Sequence, residues 1–412
     1  MRAVIQHYRE AFQGLPREAW LLSIVLLVNR AGTMVLPFLS LYATQDLGLG
    51  VEVAGMVLGA WGVGALSGAF VGGWLCDVVG PLRLQFAALA GAGVGFLAME
   101  HVTNPWWLAV CVALTGTCAE AFRPANSAAL AAFTPDELQP RAVALNRLAV
   151  NLGFSLAPAI GGPLAAWSYS WLFRIDGATC LLSALLLRHL FRHVFHRGPL
   201  QTTADAERTP SGREDLHPMQ DVLFLVFLAL FIPAVMTMFQ VFGVYPVYLK
   251  EVFGIEEARF GLLMSGNAVL ILCFEMVLTR WMEERNAIRV TGLGALLLGA
   301  GFAILPFGPG LGVAILSLIV WTTGEMLSVP FSGGWIARRA GRRHRGKYMG
   351  LYTASWGVAF MAGPPLGASV YARFGPDALW WGAGVLGVLN GAAYLLLASW
   401  ETRKNGPAGN AP

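Results

Sequence analysis

Charge is scarce in this chain: Asp, Glu, Lys and Arg make up only 13% of its 412 residues. A soluble protein of that length needs far more charge to cover its surface, so a water-soluble domain is excluded. Cysteine is also thin. The five, Cys76, Cys111, Cys118, Cys180 and Cys273, lie in or at the ends of apolar stretches with no CxxC spacing. They read as small buried hydrophobes, not as disulfides or metal ligands. No HExxH and no P-loop occurs. Histidines concentrate in polar segments, at His189, His193, His196, His217 and His344, which leaves little for a buried metal centre. Neither enzyme chemistry nor a metal or cofactor is expected. The net charge of +4 sits in short loops between apolar runs, so nucleic acid is not an expected partner. No cleavage site precedes the first apolar run, which therefore reads as a retained span and not as a signal peptide.

What is present is apolar surface. Hydrophobic residues make up 56% of the chain, and mean hydropathy is +0.60. Runs of about 20 apolar residues recur, each long enough to cross roughly 30 Å of hydrocarbon as a helix. The 49 glycines fit close helix packing in a membrane. The runs define twelve spans: 19–43, 52–75, 82–100, 105–130, 140–166 and 170–190, then 220–248, 257–279, 288–307, 310–336, 346–370 and 376–399. An all-α polytopic membrane protein follows, with a six-helix domain over 1–190, a polar linker over 191–219 and a second six-helix domain over 220–412. The lipid bilayer is one partner, and the chain is expected to function as a monomer.

Basic residues give an orientation. Arg2, Arg9 and Arg17, the linker region's Arg188, Arg192, Arg197, Arg208 and Arg213, and the loop ARRAGRRHRGK fall on one side if spans alternate. The opposite loops hold only Lys250, Arg259 and Arg373 as clear basic residues. The positive-inside rule places both termini in the cytoplasm of a plasma (inner) membrane protein. A shift of 206 positions sets Pro124 on Pro330, Arg141 on Lys347, Pro158 on Pro364 and Gly161 on Gly367. The halves therefore read as parallel repeats, a known transporter architecture.

Two stretches carry a resemblance. GGWLCDVVGPLR, from Gly72, resembles the signature loop between the second and third spans of the major facilitator superfamily, with Gly73, Leu75, Asp77, Gly80 and Arg83 in place. Val78, Pro81 and Leu82 stand where many members are basic. GFSLAPAIGG resembles the fifth-span signature of the family's antiporters through Gly153, Pro158, Gly161 and Gly162, with Ala157 where glycine is usual. The resemblance is to multidrug and small-solute efflux members. Physically, Asp77 can accept from a helix N-terminus or from Arg83, and Gly73 and Gly80 permit close approach and a tight turn. The fifth-span glycines let helices touch, with Pro158 bending the segment.

Ionisable residues at membrane depth face a cavity or one another. TGTCAEAFRPANS places Glu120 and Arg123 three residues apart, on neighbouring parts of one helical face. The first span adds Asn29 and Arg30, and the fifth adds Asn146 and Arg147. The resemblance implies that the first, fourth and tenth spans line a central cavity, which favours Glu325 in WTTGEMLSVP over Glu275 in the eighth span. It also brings Gln240, Tyr245 and Asn267 into consideration, with Trp321 and Trp356 as possible substrate contacts. Burial favours a neutral carboxyl and a nearby guanidinium favours a charged one, so Glu120 and then Glu325 are the proton-coupling candidates. A static Glu120–Arg123 pair is the plain alternative. The reading is proton-gradient-driven efflux of a small organic or amphipathic compound. Its alternatives are uptake or facilitated diffusion of a polar or anionic solute, lysophospholipid transport and a non-transporting receptor.

Overall fold

A computed structural model describes residues 13–195, 217–340 and 344–405. Most of the expected linker, the start of the N-terminal tail, Arg342 and Arg343 lie outside the described residues. The described residues are almost wholly helical, in the order expected for twelve spans. Among the described residues, eleven segments are long and apolar enough to cross a membrane. The remaining one, Arg345–Phe374, has 30 residues, and its apolar character is diluted by Gly, Pro and Tyr.

Two spans are broken where sequence reading has them continuous. The first runs as Arg17–Ala31, pauses, and resumes as Val35–Leu41 before a wide turn over Tyr42–Asp46. The seventh runs as Val222–Met238 and resumes as Val244–Glu251. Both restarts carry a proline in their first turn, Pro37 and Pro246. A proline there has no N–H to give and crowds the preceding turn, so the helix begins afresh just upstream of it.

The chain divides into two compact units. One holds Met1–Tyr42, Ala60–Ala206 and Glu257–Ala268; the other holds Ala43–Gly59, Glu207–Glu256 and Val269–Pro412. The division differs from a cut at the linker, because the start of the second span (Val51–Val79) and the start of the eighth (Glu257–Met282) each belong to the other half's unit.

Within the first unit, the second span meets the fourth (Pro105–Phe133) along a stripe of three glycines spaced four residues apart. A Cβ at Gly64 would strike the Ala113 carbonyl, one at Gly68 the Thr117 carbonyl, and one at Gly72 would lie 2.7 Å from the Ala121 Cα. Without a hydrophobic drive between helices in lipid, such backbone approach is what holds them. Gly68→Val is therefore expected to cost about 2–3 kcal/mol or more, because the obstacle is backbone and cannot turn aside. Denaturant unfolding in detergent checks this. The stripe matters for function because it fixes the fourth span, bearing Glu120 and Arg123, against a rigid neighbour.

The second unit has an aromatic centre. Phe302 stacks on Trp321 and Trp380 at centroid distances of 5.9 and 5.4 Å, and Tyr245 meets all three edge-on. All four are buried, so offset and T-shaped contacts add to their area term.

Candidate functional site

The first unit encloses a recess among its first, second, third, fourth and sixth spans. Its polar wall is Asn29, Arg30, Thr33, Asp176 and Cys180; its apolar wall includes Trp61, Phe96 and Phe122. Arg30 is partly buried, with its guanidinium 5.6 Å from the centre of the Phe154 ring. Its Nε is enclosed and has no hydrogen-bond partner among the described residues. Gly153 permits this arrangement, since a Cβ there would collide with the Arg30 Cβ.

Glu120 and Arg123 stand on the fourth span and meet at 2.8 Å, as their spacing predicts. Their exposures differ: 16% for the Glu120 side chain and 62% for Arg123. Both are near enough to act electrostatically on Arg30, although the recess itself is lined by their neighbours Ala119 and Phe122. The pair is thus partly open, and its glutamate sits on the protein side of its arginine.

Asp176 went unnoticed in sequence reading. It lies in the sixth span, Ser170–Leu190, and is buried. Met34 N–H donates to its Oδ1 at 2.8 Å, and Val35 N–H donates to its Oδ2 at 2.9 Å. The available signal was a lone carboxylate inside SWLFRIDGATCLLSALLLRHL, which by its depth alone marks a functional candidate.

Several expected cavity residues have other work. Gln240 is buried, and its Nε2 donates to the Gly363 carbonyl at 2.7 Å and to the Met236 carbonyl at 3.2 Å. A Cβ at Gly367 would meet its amide, so Gln240 ties the seventh span to the eleventh. Tyr245 and Trp321 are buried in the aromatic centre, where their rings pack on each other. Trp356 packs among Phe231, Phe239 and Tyr352. Asn146 Oδ1 accepts from Ser23 at 3.4 Å, bridging the first and fifth spans, whereas Arg147 is exposed. Asn267 is half-buried in the first unit, and Glu325 is half-buried in the second; Glu275 is buried in the second.

Gly80 makes the tight turn, with φ +87°, between the second span and the third, Pro81–Met99. Gly73 has open space where a Cβ would lie, so no close approach requires it. Asp77 is exposed. The second span continues past it to Val79, which leaves its carboxylate on the outer face. Asp77→Asn is therefore expected to change unfolding free energy by less than about 0.5 kcal/mol. Unfolding of the purified protein checks this, and any transport defect then reflects conformational change and not folding. The fifth-span signature packs closely: Gly161 faces Met34 and Phe38, and Gly162 faces the backbone of Glu257 and Ala258.

Among the described residues, no group of His, Cys, Asp and Glu is arranged to hold a metal ion.

Twelve spanning helices in repeated halves, with ionisable side chains at membrane depth, define a multi-pass membrane transporter. The pattern of the Major Facilitator Superfamily matches residues 21–341 and 324–411, and the chain belongs to that family. It is similar to a Na(+), Li(+), K(+)/H(+) antiporter of Planococcus maritimus, 25% identical over 397 residues, covering 89% of this chain and 92% of the relative. It is also similar to multidrug resistance protein MdtH of Baumannia cicadellinicola subsp. Homalodisca coagulata, 25% identical over 337 residues, covering 79% of this chain and 77% of that protein. A crystal structure of a POT family transporter in complex with a thioalcohol-conjugated peptide shares the fold. The TM-score is 0.79 at 14% identity, over 97% of this chain and 99% of that one.

Proposed function

We propose that this transporter is a proton-coupled antiporter that exports a small organic or amphipathic compound by alternating access. The carrying observation is the Glu120–Arg123 pair, a carboxylate and a guanidinium 2.8 Å apart within a membrane span, with the arginine largely exposed. Such a pair gives a carboxylate both an access route for protons and a counter-charge to leave and rejoin. Two similar proteins bear names that point the same way, one as a cation/proton antiporter and one as a multidrug resistance protein. Arg338, Arg339, Arg345 and Lys347 around the tenth–eleventh loop support cytoplasmic termini in a plasma membrane.

The test uses the purified protein in sealed vesicles carrying an internal pH dye. Inward and outward pH gradients are imposed, and ethidium, Na+, Li+ and K+ are added in turn. Proton movement opposite to the added solute, reversing when the gradient is reversed, is the expected result. Protein-dependent solute entry with no proton movement would replace antiport by facilitated diffusion. The metal-cation arms separate inorganic cation exchange from export of an organic compound.

A further inference from the structure

At the break in the first span the helix bonds lapse: Met34 N–H turns back to the Gly32 carbonyl at 2.7 Å as well as to the sixth span, and Val35 N–H looks to the sixth span. A backbone N–H without a partner is costly in a membrane, so a break there needs a built partner. The partner comes from one face of the sixth span, at residues 176, 179 and 180. Asp176 takes the N–H of Met34 and of Val35 on separate oxygens. Thr179 lies against Gly32, so closely that a Cβ at Gly32 would overlap its side chain. Cys180 Sγ accepts from Asn29 Nδ2 at 3.3 Å. The contacts are i, i+3 and i+4 on one helical face, and they grip the chain on both sides of the break. Asn29 and Arg30 immediately precede it, and both line the recess.

We propose that Asp176 is a positioning residue for the transport site: it fixes the first-span break and so aims Asn29 and Arg30 into the recess. A carboxylate suits this task, since two oxygens serve two adjacent donors. An asparagine offers one oxygen and turns an NH2 toward the other amide, which loosens the restart at Val35. Arg30 depends on this setting because its Nε lacks a hydrogen bond among the described residues, and its guanidinium rests on the Phe154 ring at 5.6 Å. The recess's other charged neighbours, Glu120 and Arg123, bond to each other and leave the break to Asp176. The proposal rests on the transport reading only for the meaning of the recess; its test needs no transport.

Cys180 is the native reporter. The full chain, with Cys180 as its single cysteine, is reconstituted in liposomes and its labelling by N-ethylmaleimide is timed. A second version keeps only Cys76, which is buried with Leu84 and Ala125 away from the recess. Asp176→Asn is expected to speed labelling at Cys180 by about tenfold, through local opening, and to leave Cys76 unchanged. Asp176→Glu, which restores both oxygens, is expected to recover part of the protection. Loss of the Asp176 charge could itself quicken the thiol, so Gly32→Ala, which pushes the break off the sixth span with Asp176 intact, is run beside it, and the same acceleration at Cys180 is expected; acceleration in Asp176→Asn alone would overturn the proposal. Equal acceleration at Cys180 and Cys76 would reduce Asp176 to a general stabiliser and overturn the proposal. No acceleration at Cys180 in either variant would overturn it as well. A failure of proton coupling in the vesicle assay, with Cys180 responding as described, would count against the antiport reading and leave the positioning role standing.

Discussion

Glu120→Gln is expected to abolish solute accumulation driven by a pH gradient while solute-for-solute exchange survives. The substitution keeps the side chain's size and removes its proton. One pH unit is worth about 1.4 kcal/mol per proton, which supports about a tenfold solute gradient for one-for-one exchange. In the variant that ratio falls to about one. Glu120 is chosen because it pairs with Arg123 at 2.8 Å within a membrane span, where an exposed guanidinium is its counter-charge. Arg123→Ala is expected to weaken binding as well, since it removes the counter-charge that holds Glu120. Vesicle flux and counterflow, corrected for inserted protein, measure both. Full proton-driven accumulation by Glu120→Gln would remove Glu120 as the carrier. Loss of coupling in Glu325→Gln alone would move the proton to the tenth span. Coupling in both variants would return the Glu120–Arg123 pair to a structural role.

The largest expected effect on stability lies elsewhere, at Asp221. Arg339 donates to both of its oxygens at 2.6 Å, Tyr348 donates at 2.8 Å, and Phe224 N–H donates at 3.3 Å. One buried carboxylate thus joins the start of the seventh span to the tenth and the eleventh and caps a helix besides. Asp221→Ala leaves the Arg339 guanidinium only partly exposed and without its counter-charge. Removing one partner of a buried pair costs about 3–5 kcal/mol, and the lower figure suits this pair because Arg339 keeps 22% exposure. Unfolding of wild type and variant in the same detergent measures the difference. The pH dependence has a definite sign. Burial alone pushes the Asp221 carboxyl up, but the bonds from Arg339 and Tyr348 outweigh it and hold the group below the usual carboxylate range. A folded-state value below the unfolded one means stability is present above about pH 4 and is lost as pH falls through the depressed value. The acid limb should therefore flatten in Asp221→Ala. An unchanged acid limb would assign the pH dependence to other carboxylates.

How far the site was legible depends on the separation of its parts. Glu120 and Arg123 were readable as a pair because three residues of helix fix their relation without reference to any other segment. The Gly80 turn was readable because glycine ahead of proline is a local signal. The exposure of Asp77 was not readable, because a motif gives residue types without the direction in which a side chain leaves its helix. The contacts of Gln240 and Tyr245 were hidden for a related reason. Polar and aromatic side chains at membrane depth can face a recess or close a helix contact, and only the neighbours' shapes decide. Gln240 closes on Gly363 and Gly367, whereas Tyr245 closes on Phe302, Trp321 and Trp380.

The sequence by itself determined that this chain lives in a membrane, that it crosses twelve times in two repeated halves, and that it belongs among facilitator-type transporters. Those properties follow from apolar run lengths, composition and short motifs, which are local quantities. Tertiary structure alone decided that Asp176 meets Met34 and Val35 across more than 140 positions of chain, that Asp221 meets Arg339 across 118, and that the first span breaks where Arg30 lines the recess. The reason is physical. A buried polar group must find a partner wherever packing brings one, and a partner on a distant helix leaves no trace in the residues beside it.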